Sequence, residues 1–537
     1  MSRLARRAPA WTITAALGVV YLIAAPPSPD LAAASYRSDL FSRVGFSLWD
    51  NSWYGGHHLL AYSLLSPALG ALIGPQLVAA ISMTAAAALF AALIEGRFPE
   101  RSTRIAAAWF ALGAAIGLLS SRVPFDLGLA IGLGAVLMAK RERLSSALAL
   151  SVLCSVASPV AGAFLALAFL AWALAGPARV WPAALMLATL APIGLLVAVF
   201  PEGGSQPFVA SAFYPALAGV LVVGALIATE RPQDESLRVL KIGAALYALA
   251  LLGSYVVSTA VGGNVDRLGA LATGPIAACV LAGGSLRSWR TRALIVLAPA
   301  LLYWQANAPV ADFAAAANDP AVHASYYAPL LGELRALDVG YGGPPARPAR
   351  IEVVATADHW EARWLGPHVM LARGWERQLD GYRNSLFYVD ANSLTAASYH
   401  AWLAREAVSY VALSDAPLDY SAHAEQRVVS SAPPYLREVW RSAHWRLFAV
   451  LGAQPLAQPP ALLSGLDTSS FTLSAPRAGT YTVRVHFTPY WALASGGGCV
   501  ARGPEDWTQV HARRAGVLHV AIRFSPARIF GHGPRCD

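Results

Sequence analysis

The side chains with chemistry to offer are densest in one stretch, SYRSDLFSRVGFSLWDNSWYGGHHLLAYSLLSP (35–67). It sets Asp39 and Asp50, Arg37 and Arg43, and His57 and His58 among Trp49, Trp53, Tyr54 and Tyr62. An acid held among aromatic rings near a membrane surface is partly desolvated, which raises its pKa and suits it to general-base work. Gly55 and Gly56 would let the backbone come close to a ligand. The plainer reading is a belt of Trp and Tyr at the level of lipid headgroups. That accounts for the aromatic residues but poorly for the two carboxylates and the histidine pair.

A second group is Gly262-Gly263-Asn264-Val265-Asp266-Arg267. Gly and Asn at these positions suit a tight turn with positive φ. Asp266 and Arg267 beside a hydrophobic boundary ask for more, because a guanidinium fork matches phosphate oxygens. Arg122, in the short turn RVPFD (122–126), is a similar candidate, while Asp126 reads as a helix cap. Further along, RGWERQLDGYRN (373–384) is either a solvated helix face or a sugar contact through Trp375. TPYWAL (488–493) is an aromatic surface or a strand end. No GxxxxGK[ST], GxSxG, HExxH or GxGxxG occurs in a usable setting, so ATP-driven and soluble-hydrolase chemistry have no support. No Cys/His cluster has zinc spacing.

These groups must be positioned by a largely apolar chain. Of 537 residues 56% are hydrophobic and 13% charged, with a mean hydropathy of +0.47, against about 25% charged in a soluble globular protein. From Ala10 to about Trp304, apolar runs alternate with short polar breaks, and a hydrocarbon core asks for about 20 such residues per helix, somewhat fewer where a span is buried among others. The expected spans are 10–26, 76–95, 105–121, 125–139, 145–158, 160–176, 181–200, 209–228, 240–260, 268–286 and 291–304, about eleven in all. The stretch 59–73, broken by Pro67, reads as an interfacial helix or half-span.

The formal charge of +9 does not point to nucleic acid, because the basic residues recur in every second loop. They are Arg3, Arg6 and Arg7; Arg97, Arg101 and Arg104; Lys140, Arg141 and Arg143; Arg179; Arg231, Arg238 and Lys241; and Arg287, Arg290 and Arg292. The positive-inside rule then makes the N-terminus cytoplasmic and, with an odd number of spans, the C-terminal part extracytoplasmic. The first apolar run also has the look of a secretory signal peptide, and is taken here as a retained span.

The expected organisation is a transmembrane domain over 1–304, with its first exported loop at 27–75, and a connector over 305–345 with a helix at 327–337. An exported α/β module follows over 346–460, drawn from RIEVVAT (350–356), a helix at 398–406, VSYVAL (408–413), PYLREVW (434–440) and WRLFAV (445–450). A β-sandwich-like module closes the chain over 461–537, where FTLSA, TYTVRVHF and VLHVAIRF alternate apolar and polar residues. Cys154 and Cys279 fall in apolar spans and read as small core residues. Cys499 and Cys536, on the exported and oxidising side, are expected to pair.

The layout, with Asp39 followed by Trp49, Trp53-Tyr54-Gly55-Gly56, Tyr62 and Ser66-Pro67, resembles the C-type superfamily of integral membrane glycosyltransferases and related bacterial multi-spanning proteins. The resemblance covers the first 300 residues or so in architecture and about 30 in motif. It implies a polytopic helical fold in the bacterial plasma membrane, a polyprenyl-phosphate-linked sugar as donor and a glycan or lipid as acceptor. It also implies that the first-loop acid activates the acceptor hydroxyl, which gives Asp39 that role, with Asp50 as fallback because WDxxWY resembles the signature of some eukaryotic members. Arg267 and Arg122, with Asp266 and Asn264 beside them, would hold the donor; His57, His58, Trp53 and Tyr54 would line the acceptor side. No paired Asp-Asp or Glu-x-Asp motif stands out, so no cofactor is called for and a divalent metal is left open. A transporter or flippase of envelope precursors, or a non-catalytic scaffold, is the alternative. Intramembrane charges and matching halves would mark a transporter, and here ionisable residues gather at the exported boundary instead.

Overall fold

The computed structural model describes residues 8–176, 180–230, 235–342, 347–388, 394–529 and 536. Arg3, Arg6, Arg7, Arg179 and Arg231 lie outside the described residues, as do residues 343–345 of the expected connector. The chain divides into two compact units. The first comprises Met1–Ser42, Ala61–Ala198 and Ser205–Ala317; the second comprises Arg43–Leu60, Val199–Gly204 and Asn318–Asp537. The chain therefore passes between units five times, and two pieces of the expected transmembrane domain belong with the C-terminal unit.

The first unit is helical: α1 (Trp11–Ala24), α2 (Pro29–Val44, whose last residues pass into the second unit), α3 (Ser66–Ile73), α4 (Pro75–Ile94), α5 (Glu100–Gly117), α6 (Val123–Lys140), α7 (Leu144–Ala157), α8 (Pro159–Ala175), α9 (Val180–Val199, whose last residue belongs to the second unit), α10 (Ala210–Ala228), α11 (Glu235–Val256), α12 (Asp266–Leu281) and α13 (Trp289–Ala316). Each expected span falls on one of these helices. Among the described residues seven helices are long and apolar enough to cross a membrane. They are α4, α5 with the short turn after it, α6, α9, α10, α11 and α13. An eighth span results if α1 and α2, bent by 75° at their junction, count as one. The helices α7 and α8 are apolar but shorter. Small residues let the helices approach closely: Ala79, Ala86, Ala106, Ala111, Ala114 and Ala277 are all fully buried where α4, α5 and α12 pack. Gln305 of α13 is buried too, accepting from Trp109 Nε1 at 2.9 Å and donating to the Leu271 carbonyl at 3.1 Å, so a polar side chain there has its partners.

The second unit begins with β1 (Trp49–Asp50) and β2 (His57–His58), an antiparallel pair inside the first loop. After α14 (Ala324–Ala336) and the short pair β3 (Val339–Gly340) and β4 (Arg347–Pro348) comes a five-stranded sheet. It contains β5 (Arg350–Val353), β6 (Met370–Leu371), β7 (Val408–Ser414), β8 (Leu436–Arg441) and β9 (Trp445–Val450) in the order β6-β5-β7-β9-β8. Around it lie α15 (Trp360–Trp364), α16 (Arg377–Arg383), α17 (Ala396–Arg405) and α18 (His423–Ser430). Strands β6, β5 and β7 are parallel, and β9 is antiparallel to both its neighbours.

Two antiparallel sheets follow. One orders β10 (Leu462–Asp467), β11 (Ser470–Ala475), β16 (Gly516–Ile522) and β13 (Trp491–Ser495) as β10-β11-β16-β13. The other orders β12 (Gly479–His486), β15 (Trp507–Ala512) and β14 (Gly498–Arg502) as β12-β15-β14. Alternate residues such as Phe471, Leu473, Tyr481, Val483, Val510 and Val520 fill the core between them, the period-2 pattern of half-buried strands. Cys499 and Cys536 are joined by a disulfide, and the chain ends its described elements at α19 (Pro526–Ile529).

Candidate functional site

Several helix ends of the first unit carry charge. Asp30 is the second residue of α2, Arg122 immediately precedes α6, Asp266 and Arg267 open α12, and Asp312 lies in the last turns of α13. Arg122 Nε stands 3.3 Å from Asp30 Oδ2 and its Nη2 3.5 Å from Asp312 Oδ2. Arg267 Nη2 reaches the same Asp30 oxygen at 3.9 Å. Ser120 Oγ donates to Asp312 Oδ2 at 2.6 Å, and Ser28 Oγ to the Ser120 carbonyl at 3.0 Å. The four charged side chains are only 20–30% exposed, so they are sheltered yet reachable. Asp126, buried in the first turn of α6, lies within the field of Arg122, Arg267 and Asp30. Arg267 also rests 5.5 Å from the Phe125 ring centroid.

An N-terminal helix end carries partial positive charge, so acids are at home there and cations are not. Asp30, Asp126 and Asp266 in first turns need no further reason. Arg122 and Arg267 do: each sits at the wrong end of its helix, and both are turned toward one carboxylate. Guanidinium forks favour anions, and the anion that both reach here is the carboxylate of Asp30.

The expected site residues divide between the units. Arg122, Arg267 and Asp266 are in the first unit, where Asp266 Oδ1 accepts from Trp304 Nε1 at 3.0 Å. Asn264 donates to Gln206 Oε1 at 3.3 Å. Asp39 is half-buried on α2. It stands nine residues from Asp30, about two and a half turns, which turns it to the opposite side of the helix. Arg37, about two turns from Asp30, shares Asp30's side and lies 3.9 Å over the Tyr62 ring. Asp30, Asp312 and Ser120 had no motif to announce them. The one local signal for Asp30 is the Ser-Pro-Asp start of a helix, which reads first as a cap.

Asp50, Trp53, Tyr54, His57 and His58 all lie in the second unit and are buried there. Asp50 Oδ1 accepts from the Ser52 amide at 3.0 Å, and Trp53 stacks on His57 with centroids 5.5 Å apart. Gly56 (φ +109) is pressed on Trp49, where a Cβ would come 2.5 Å from Cζ2, and a Cβ at Gly55 (φ +69) would come 2.9 Å from Arg350 Nη2. The close approach these glycines allow is to the protein's own side chains. Trp49 packs edge-on to Trp491 at 5.8 Å within the β-sandwich core.

Glu202, from the segment between α9 and α10, joins this hairpin: it pairs with His58 Nδ1 at 2.8 Å and with Arg383 Nη2 at 3.5 Å. Burial pushes its carboxyl up, but the hydrogen bond from His58 and the charge of Arg383 outweigh that and bring it down to about 2.

A second charged group in this unit surrounds Arg373. Its Nε and Nη2 clamp Asp380 at 2.7–3.2 Å, its Nη1 reaches Glu425 Oε2 at 3.3 Å, and Phe387 covers it at 4.1 Å. Tyr388 and Asn384 donate to Asp380, and Tyr399 to Glu425. Glu352 stands 4.0 Å off; burial, and then the charge of Glu425, push its carboxyl well above the usual range. Nearby, His359 takes a left-handed conformation (φ 54) between Glu361 at 3.2 Å and Asp419 at 3.6 Å. Burial pulls its pKa down, and the hydrogen bonds to Asp419 and Glu361 reverse that, to about 9. Among the described residues no three His, Cys, Asp or Glu side chains are grouped to hold a metal.

No protein-family profile and no curated protein sequence matches the chain. A cryo-EM structure of the arabinofuranosyltransferase AftD from mycobacteria is similar at 17% identity with a TM-score of 0.44, over 91% of this chain. The chain spans 43% of the length of that protein.

Proposed function

We propose that this membrane protein is a glycosyltransferase of the C type, moving a sugar from a polyprenyl-phosphate-linked donor to a glycan or lipid acceptor. The observation that carries the reading is the pair of arginines, Arg122 and Arg267, turned at two helix starts toward the carboxylate of Asp30. A lipid-linked phosphate is the anion such a site fits, since its sugar and phosphate lie at the edge of the bilayer. The first-loop resemblance supports the same chemistry, and the basic loops support a plasma-membrane location with the N-terminus cytoplasmic and the second unit outside.

Asp30 is the proposed base in place of Asp39. It takes the proton of the acceptor hydroxyl; the oxygen bonds to the anomeric carbon as the bond from that carbon to the phosphate oxygen breaks. Polyprenyl phosphate leaves with the bonding pair, its charge held by Arg122 and Arg267. One displacement inverts the anomeric centre. The acceptor glycan or lipid is bound or oriented by the second unit.

The test is glycan and lipid-linked-sugar analysis of a deletion strain carrying wild type, Asp30→Asn or Asp39→Asn. Loss of one linkage with build-up of its donor, rescued by Asp39→Asn and not by Asp30→Asn, is the expected result. Rescue by Asp30→Asn removes it from the chemistry, and an unchanged glycan profile on deletion brings a transporter or scaffold forward.

A further inference from the structure

Four aspartates of the first unit lie within the field of Arg122 or Arg267, and three of them are occupied. Asp30 meets both arginines, Asp312 meets Arg122 and accepts from Ser120, and Asp266 accepts from Trp304 Nε1. Asp126 is the exception. It is 2% exposed, and its Oδ2 is buried with no hydrogen-bond partner among the described residues. The role of helix cap expected for it is not taken up, since no backbone N–H of α6 donates to that oxygen. A polar atom buried without a partner is costly, and in a native structure such an exception calls for a reason.

The surroundings say what kind of partner is missing. Asp126 follows Arg122 by one helical turn, about 6 Å along the axis and on the same face. The charges acting on it are those of Arg122, Arg267 and Asp30. A carboxylate oxygen asks for an N–H or O–H donor. The two guanidinium groups are turned to Asp30, and the Tyr21 hydroxyl, within the same field, pairs with Ser121 Oγ at 2.8 Å. The donor is left to come from outside the protein. In a lipid-linked sugar phosphate the ionised phosphate offers only acceptors and the lipid offers neither, so the O–H donors are those of the sugar.

We infer that Asp126 binds a ring hydroxyl of the transferred sugar, through the carboxylate oxygen that no group of the protein fills, and so decides which donor is accepted. The inference rests on the reading of Arg122 and Arg267 as the groups that hold the donor phosphate. A site with a buried acceptor rejects strongly the substrate that leaves it bare, whereas an apolar pocket separates related substrates weakly. Asp126 is thus a specificity-determining residue, separate from the base at Asp30.

Binding to the full chain in detergent tests it, with undecaprenyl phosphate and undecaprenyl-phosphate-linked glucose, mannose, galactose and arabinofuranose as probes. One sugar-linked lipid is expected to bind the wild type about 10- to 100-fold more tightly than undecaprenyl phosphate. Asp126→Leu removes that preference, so that sugar-linked and bare lipid bind alike. One monodeoxy analogue of the preferred sugar binds the wild type as weakly as the bare lipid, and Asp126→Leu does not tell it from its parent. The melting temperature of Asp126→Leu holds or rises, because the variant no longer buries an acid without a partner. No preference in the wild type, or one that survives Asp126→Leu, overturns the inference. So does equal binding of every deoxy analogue, the result expected if water alone pairs with Asp126, and so does a lowered melting temperature with loss of both lipids, the mark of a structural acid. Arg122→Gln separates this inference from the reading beneath it. That variant should weaken undecaprenyl phosphate itself, and if it does not, the phosphate reading fails whatever the sugar preference shows.

Discussion

Of the charged groups among the described residues, those around Arg373 and around Asp30 are built in opposite ways. Around Arg373 the guanidinium is clamped by Asp380, covered by Phe387 and only 4% exposed, and Asp380 and Glu425 have further donors of their own. Around Asp30 the two arginines stand off at 3.3 and 3.9 Å, and every member keeps a fifth or more of its side chain open. A buried ion pair with its hydrogen bonds complete fixes a fold, and removing one partner strands the other. A loose, half-open pair leaves electrostatic capacity for a ligand. Composition alone does not separate the two; distance and exposure do.

The contrast breaks most visibly at Asp30. Asp30→Asn is expected to lower transfer by about 10²–10⁴-fold while leaving the thermal unfolding midpoint in place, as read by an assay with lipid-linked donor alongside a melting curve. A fall in stability equal to the fall in activity would make this group structural after all. Arg373→Met should do the reverse, destabilising the second unit by about 3–5 kcal/mol, seen as loss of folded protein in detergent. Normal folding of that variant would erase the distinction.

His359 gives a pH-dependent version of the same idea. Its folded pKa of about 9 lies above the ordinary 6.5. The stability it contributes is therefore complete below 6.5 and is lost as pH rises from there through 9, on the order of 3 kcal/mol in all. The unfolding midpoint of the second unit should drop over that window, and His359→Gln should flatten the drop. The smallest effect is expected at Arg267→Lys. A lysine keeps the charge but loses the fork, so KM for the donor should rise about 10-fold with little change in kcat. An unchanged KM would take Arg267 out of phosphate binding.

Much of the helical layout was legible because a bilayer imposes its own pattern: long apolar runs with basic residues in alternate loops. The strands of the sandwich were legible for the same kind of reason, period-2 burial in segments such as 470–475 and 516–522. Arg122 and Arg267 could be singled out as charges at helix boundaries. Their meeting at Asp30 could not, because it joins residues some ninety and 240 positions apart through helix packing that no local spacing records. The first loop misled in a physical way. Its aromatic and acidic residues looked like a surface site, whereas Trp49, Trp53 and His57 are core residues of a unit made mostly from the far end of the chain. Reading 29–44 as loop also hid the helical turn that separates Asp39 from Asp30.

That hairpin carries a consequence for how the molecule is made. Asn51 donates its side-chain amide to the carbonyl of Asp467, 416 residues later. At ribosomal rates of about 5–20 residues per second, the hairpin waits on the order of half a minute before its partner strands exist. Throughout that interval Trp49 and Trp53 have no core to enter, while the helices that follow them are already being inserted. The second unit therefore closes last and late, around a piece of chain delivered first. Apolar surface left open for that long is prone to aggregate, so mutations that slow closure are expected to show as lost yield before they touch activity.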